Sequence, residues 1–199
     1  MSNLTRRTAL LGTLFALSGC SAITSINAAT KPLDTYDLRP AAGSTKGRRT
    51  SRTLLVARPQ APAALATDRI MVKPDAASIT YLPDARWSDE IPAVVQSLLI
   101  RSISETGRVA YVGRSDAGPI PDKALLVRID AFEVNALVDG TFEAQLDFDL
   151  TIINDKDQRV VASRRFSQSQ PVANDSAKAI VAVFQEALNV LLPAMSDWA

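Results

Sequence analysis

The chain contains no histidine, and this absence removes a wide range of chemistry. Histidine is the usual general base, the commonest metal ligand and the side chain that titrates between about pH 5 and 8. No Ser-His or Cys-His nucleophile pair can form within the chain. An enzyme built on it would have to work through carboxylates or lysine, and the expectation is a protein that is not an enzyme. The single cysteine, Cys20, excludes an internal disulfide even in an oxidising compartment, so stability must come from packing. Aromatic residues make up only 6% and the formal net charge is +1, so there is little surface for base stacking and no general pull toward nucleic acid.

What is present is ordinary for a globular chain: 199 residues, 47% hydrophobic and 22% charged, enough for one domain with a sizeable core. The N-terminus departs from that average. Arg6-Arg7 precede the apolar run Ala9 to Ala16, and small residues follow. A basic start, an apolar core of about ten residues and a small-residue exit describe an export signal. The run is shorter than the roughly twenty residues a spanning helix needs. Arg6-Arg7 also permit a twin-arginine reading, but Thr8 and Ala9 fit that context poorly, which favours the general pathway.

The exit sequence Leu17-Ser18-Gly19-Cys20 resembles the bacterial lipobox. The resemblance implies cleavage before Cys20, a thioether-linked diacylglyceryl group on its sulfur and an acyl chain on the freed amine; no other cofactor and no metal are expected. Each buried methylene contributes about 0.8 kcal/mol, and one myristoyl-sized chain holds only marginally, so three chains make a permanent anchor. The competing reading is an ordinary secretory signal with an incidental cysteine. The organisation that follows is a signal peptide over 1–19, a lipidated cysteine and tether over 20–32, and one periplasmic domain over 33–199. A dozen flexible residues span roughly 20 Å and reach about 40 Å when extended.

Residues 41–52 have loop composition and carry Lys46, Arg48, Arg49 and Arg52. Arg48, Arg49 and Arg52 are candidates for contact with anionic headgroups, each near-surface cation contributing about 1 kcal/mol; the alternative is a solvated loop. Strands are predicted over 33–38, 53–57, 69–73 and 78–82, with a hairpin joining the last two across Pro74 to Ala77. Ser88 or Asp89 can cap a helix with Pro92 in its first turn, Ile91, Val94, Val95, Leu98, Leu99 and Ile103 on one face, and Gly107 at its end. Trp87 packs back on this helix as a staple or, on the other reading, contacts a partner.

Further strands are predicted over 108–112, 124–132, 142–152 and 159–168, the alternation from Phe142 to Ile152 being the clearest in the chain. Glu143, Asp147 and Asp149 fall on one face of it. They invite a paired-carboxylate or cation site, but period two makes them neighbours on a solvated face, offset by Arg164 or Arg128. Asp155 and Asp157 read as a turn, because they lack the glycine and distal glutamate of a calcium loop. Pro171 is expected to end the sheet. Asn174, Asp175 or Ser176 caps a last amphipathic helix, and Pro193 begins a short tail. The fold class is α+β: a mixed, mostly antiparallel sheet with two main helices packed against it.

With these elements placed, the chain resembles the auxiliary lipoproteins of bacterial ABC-type transporters, including the paraquat-inducible protein C group that works with Mce-type (mammalian cell entry) proteins. The resemblance rests on Leu17 to Cys20, Tyr36-Asp37-Leu38, Asp68-Arg69-Ile70, Ser78 to Leu82 followed by Arg86-Trp87, the alternating strand and the closing helix. It implies a domain tethered to the periplasmic face of the outer membrane, a sorting that Ser21 after the cysteine fits. It also implies docking onto Mce-domain or other ABC transporter components, movement of lipid or hydrophobic compounds between the membranes, self-association into a ring, and no catalytic set. The other classes are a periplasmic lipid carrier, which needs an apolar cavity of several hundred Å³, and a carboxylate-based enzyme.

Overall fold

The computed structural model describes residues 32–114 and 118–199. The strongest alternation in the sequence forms its backbone: β6 (Lys123–Ala136), β7 (Phe142–Asn154) and β8 (Val160–Val172) make an antiparallel meander. Ala144, Leu146, Phe148, Leu150 and Ile152 of β7 are buried on its inner face. In β6 the register passes from Ile129 opposite Phe148 to Ala131 opposite Asp147, leaving Asp130 as an extra residue. This bulge resets the phase, so Phe132 and Val134 join Leu125, Val127 and Ile129 in the core.

The other edge of β6 is shared. Its first residues pair with β2 (Thr50–Val56), which carries β5 (Val109–Arg114) on its far side. Its last residues pair with β3 (Arg69–Lys73), followed outward by β4 (Thr80–Trp87) and β1 (Asp34–Tyr36). The expected hairpin between β3 and β4 is present. The sheet is nevertheless mixed rather than mostly antiparallel, because β1–β4, β2–β5, β2–β6 and β3–β6 are all parallel. Parallel pairs join segments separated by long crossovers, and nothing local in either segment announces them.

Helix α1 (Ile91–Glu105) follows β4 and α2 (Ala177–Trp198) closes the chain. Glu90 occupies the N-cap of α1 without a side-chain cap; the expected caps are otherwise engaged, Ser88 donating to Asp37 Oδ1 at 2.9 Å and Asp89 accepting from the Glu90 N–H at 2.8 Å. Gly107, at φ +64°, ends the helix in the left-handed conformation that glycine adopts most readily. Ser176 caps α2 by accepting from the Ala179 N–H at 3.3 Å. Contrary to expectation, α2 continues through Pro193 to Trp198. Burial of Leu192 and Met195 and the edge contact of Trp198 on Phe166, at 5.8 Å, hold the last turns in place.

By length and composition α2 could cross a membrane, but half of its most apolar stretch is buried against the rest of the fold. Ile180, Val183, Phe184, Ala187, Leu188 and Leu191 form its inner face. Between helices and sheet lies an aromatic cluster: Phe184 stacks on Phe132 at 4.8 Å and meets Trp87 edge-on at 5.2 Å, and Phe132 meets Phe148 at 6.3 Å. Trp87 is only 1% exposed. Its ring contacts are with β6 and α2, so it is a core residue and offers no surface to a partner.

Candidate functional site

Parallel pairing sets the start of β5 beside the start of β2 and the start of β6 beside Leu54, further along β2, and the last turn of α2 arrives over the same region. A cleft of about 250 Å³ opens there, lined by Arg48, Arg52, Arg108, Lys123 and the segment from Ser196 to Ala199, among others. Each cation comes from the start of a strand or the residues just before it. The Thr50 N–H donates to the Arg108 carbonyl at 2.8 Å, and Lys123 lies opposite Leu54.

One cation is fixed and the others are not. Arg108 Nη2 donates to the Ser196 carbonyl at 2.7 Å and to Asp197 Oδ1 at 3.2 Å. This satisfies a free carbonyl at a helix end and complements the negative pole of the helix dipole. Asp197 also accepts from the Ser44 N–H at 2.7 Å, which seats the basic loop on α2. The side chains of Arg48 and Lys123 have no hydrogen bond or ion pair among the described residues. Arg52 exerts only a longer-range pull on Asp122, which lies beside the cleft. Thr53 and Asp122 clasp each other: the Thr53 N–H donates to Asp122 Oδ2 at 2.7 Å, and the Asp122 N–H donates to Thr53 Oγ1 at 2.9 Å. The Thr53 backbone N–H, then its hydroxyl and finally Arg52 hold the Asp122 carboxyl below its ordinary value of 3.8. Two buried donors on the wall, Arg108 Nε and Ser196 Oγ, have no partner among the described residues.

Of the residues singled out in the sequence, Arg48 and Arg52 line this cleft; Arg49 is exposed but is not among its lining residues. Leu17, Ser18, Gly19 and Cys20 lie outside the described residues, as do the expected signal peptide and nearly all of the expected tether. Arg108 and Lys123 were not candidates. Each is a single cation at a strand start, after Gly107 and after Asp122, and only the parallel register brings them to the cleft that Arg52 also lines.

The acidic face of β7 departs from the solvated reading. The Asp147 side chain is only 4% exposed and accepts both Nε, at 2.8 Å, and Nη2 of Arg165. The Asp147 carboxylate raises the Arg165 pKa in return. Arg128 binds Asp130 through Nε at 2.7 Å and reaches Asp149 at 3.6 Å, whereas Arg164 stands over the Phe166 ring at 4.9 Å. Glu133, also buried, is met by Lys73 at 2.6 Å. Apart from Glu143, these carboxylates are engaged by cations, and no cluster of three or more His, Cys, Asp or Glu placed to hold a metal ion occurs among the described residues.

Comparison with known proteins covers almost all of this fold. The family model for the ABC-type transport auxiliary lipoprotein component matches residues 36–196. The uncharacterised protein bll6063 of Bradyrhizobium diazoefficiens is 31% identical over 167 residues, which cover 82% of this chain and 44% of that protein. The chain thus spans less than half the length of this relative. The crystal structure of protein XCC0632 from Xanthomonas campestris has 25% identity and a TM-score of 0.75, covering 83% of this chain and 94% of that one. A second solved structure, of an uncharacterised protein, shares the fold at 14% identity and a TM-score of 0.64, covering 84% and 99% of the two chains.

Proposed function

The chain belongs to the ABC-type transport auxiliary lipoprotein component family, and from that membership we propose that it is a membrane-tethered adaptor facing the periplasm. It docks onto the periplasmic part of a transporter and supports movement of lipid or other hydrophobic compounds between the inner and outer membranes. An Mce-domain component is the partner this reading names, and the outer membrane is its place of anchorage. Cys20, acylated on sulfur and amine, is the only modified residue required, and self-association into a ring is part of the same proposal. The protein works by holding neighbours together rather than by making or breaking bonds.

The observation that carries the reading is the match of one family model across 36–196, nearly the whole folded domain. Core packing favours an adaptor over a carrier. The space between helices and sheet, where a lipid carrier needs an apolar cavity of several hundred Å³, is occupied by Trp87, Phe132, Phe148 and Phe184. The clefts at the surface have charged side chains on their walls.

In-cell crosslinking of the full chain, followed by mass spectrometry of what is recovered, tests the proposal. The expected outcome is recovery of a permease-associated or Mce-domain component. Repeated recovery of abundant envelope proteins alone, with no transporter component, would overturn it.

A further inference from the structure

We propose that the cleft at the starts of β2, β5 and β6 is a binding site for a phosphate group. Four cations from three separate segments line it with one acidic side chain, Asp197, which is already held by Arg108 and the Ser44 N–H; Asp122 lies beside it next to Arg52 and Lys123. The end of α2 accounts for Arg108, which takes its carbonyl. It does not account for Arg48, Arg52 and Lys123, which make no contact with that carbonyl. Arg48 and Lys123 are unpaired and Arg52 has only a longer-range attraction to Asp122, so the three repel one another across the cleft and an added anion relieves that repulsion.

The chemistry of the wall narrows the anion. Guanidinium forks match the paired oxygens of phosphate, and lysine adds a compact charge that can follow either oxygen. Ser196 Oγ and Arg108 Nε are sealed beneath the wall, so the groups that can reach an anion in the cleft are the side chains of Arg48, Arg52 and Lys123. Leu54, Val109 and Trp198 supply the apolar part of the lining, against which a glycerol or similar stem can lie. At about 250 Å³ the cleft falls below the roughly 300–1,000 Å³ of sites that enclose drug-sized ligands. It suits a phosphate and a few attached atoms, not acyl chains. The phosphate could come from a phospholipid headgroup or from a free phosphate compound, since both present the same oxygens.

The inference does not rest on transporter docking, so the two can fail separately. The test uses the full chain in detergent, titrated at constant ionic strength with inorganic phosphate and, separately, with glycerophosphoglycerol, the diester headgroup without acyl chains. Binding is read by calorimetry and by the shift in melting temperature. Saturable binding at one site is expected, weakened about tenfold or more by Arg52→Ala and by Lys123→Ala, as loss of a charge-assisted hydrogen bond dictates. Arg49→Ala, which removes the same charge off the cleft, should change affinity less than about twofold. If either cleft variant fails to fold by circular dichroism, Arg48→Ala in the exposed loop takes its place. Binding of the diester supports a headgroup, and binding of inorganic phosphate alone supports a free phosphate compound. No saturable binding of either ligand, or equal weakening by Arg49→Ala, overturns the proposal.

Discussion

Asp122 shows how much a single exposed side chain can organise at the edge of the cleft. It ties β2 to the start of β6 through Thr53, and its folded pKa lies below the ordinary 3.8. A carboxyl depressed in this way contributes stability above its unfolded pKa and loses it as pH falls through the lower folded value. The difference in urea midpoint between the chain and Asp122→Asn should therefore be full at about pH 6 and shrink progressively as pH falls below about 4. A difference that stays constant across this range would mean that the carboxylate charge contributes nothing. Other residues were less legible. Period two correctly placed Asp147 on the outer face of β7, but its burial depends on Arg165 reaching across from β8, and no spacing rule reports that. Trp87 could be read as staple or partner contact, and the aromatic neighbours that decide against a partner role, Phe132 and Phe184, lie far along the chain.

Elements were easier to read than their arrangement. Alternation and apolar faces marked both helices and every strand, with ends displaced where tertiary packing overrides local signals. Pro171 was expected to stop β8 but sits within it opposite Glu143; β8 pairs only with β7, and an edge strand tolerates a missing N–H. Pro193 lies inside α2 for the packing reasons given above. The loop before β2 shows how closely separate elements are fitted. A Cβ at Gly43 would come within 2.5 Å of Asp197 Oδ1 and 3.0 Å of the Pro193 carbonyl oxygen. Gly43→Ala should therefore lift the basic loop from the end of α2 and cost about 1–3 kcal/mol, the usual range for overpacking. Chemical denaturation measures the loss, and an unchanged midpoint would show that the loop does not bear on α2 as described.

For the whole molecule, anchorage divides two physical accounts. One is lipid on Cys20, where two or more acyl chains hold a protein far more firmly than the marginal grip of one. The other is α2, long and apolar enough to cross a bilayer by composition. The fold argues against the second. Withdrawing α2 would expose Phe184, Leu188 and Leu191 together with the core they cover, and burial of such side chains is worth about 1.5–3 kcal/mol each. A helix with that role cannot leave for the membrane while the domain stays folded. Cys20→Ser should therefore move the protein from the membrane pellet to the soluble fraction of broken cells, while its circular dichroism spectrum remains that of the folded domain. Retention of the folded variant in the pellet after a high-salt wash would show that neither acyl chains nor attraction by the basic cleft is needed to hold it, and would leave an apolar segment outside the folded domain, such as the run Ala9 to Ala16, as the anchor.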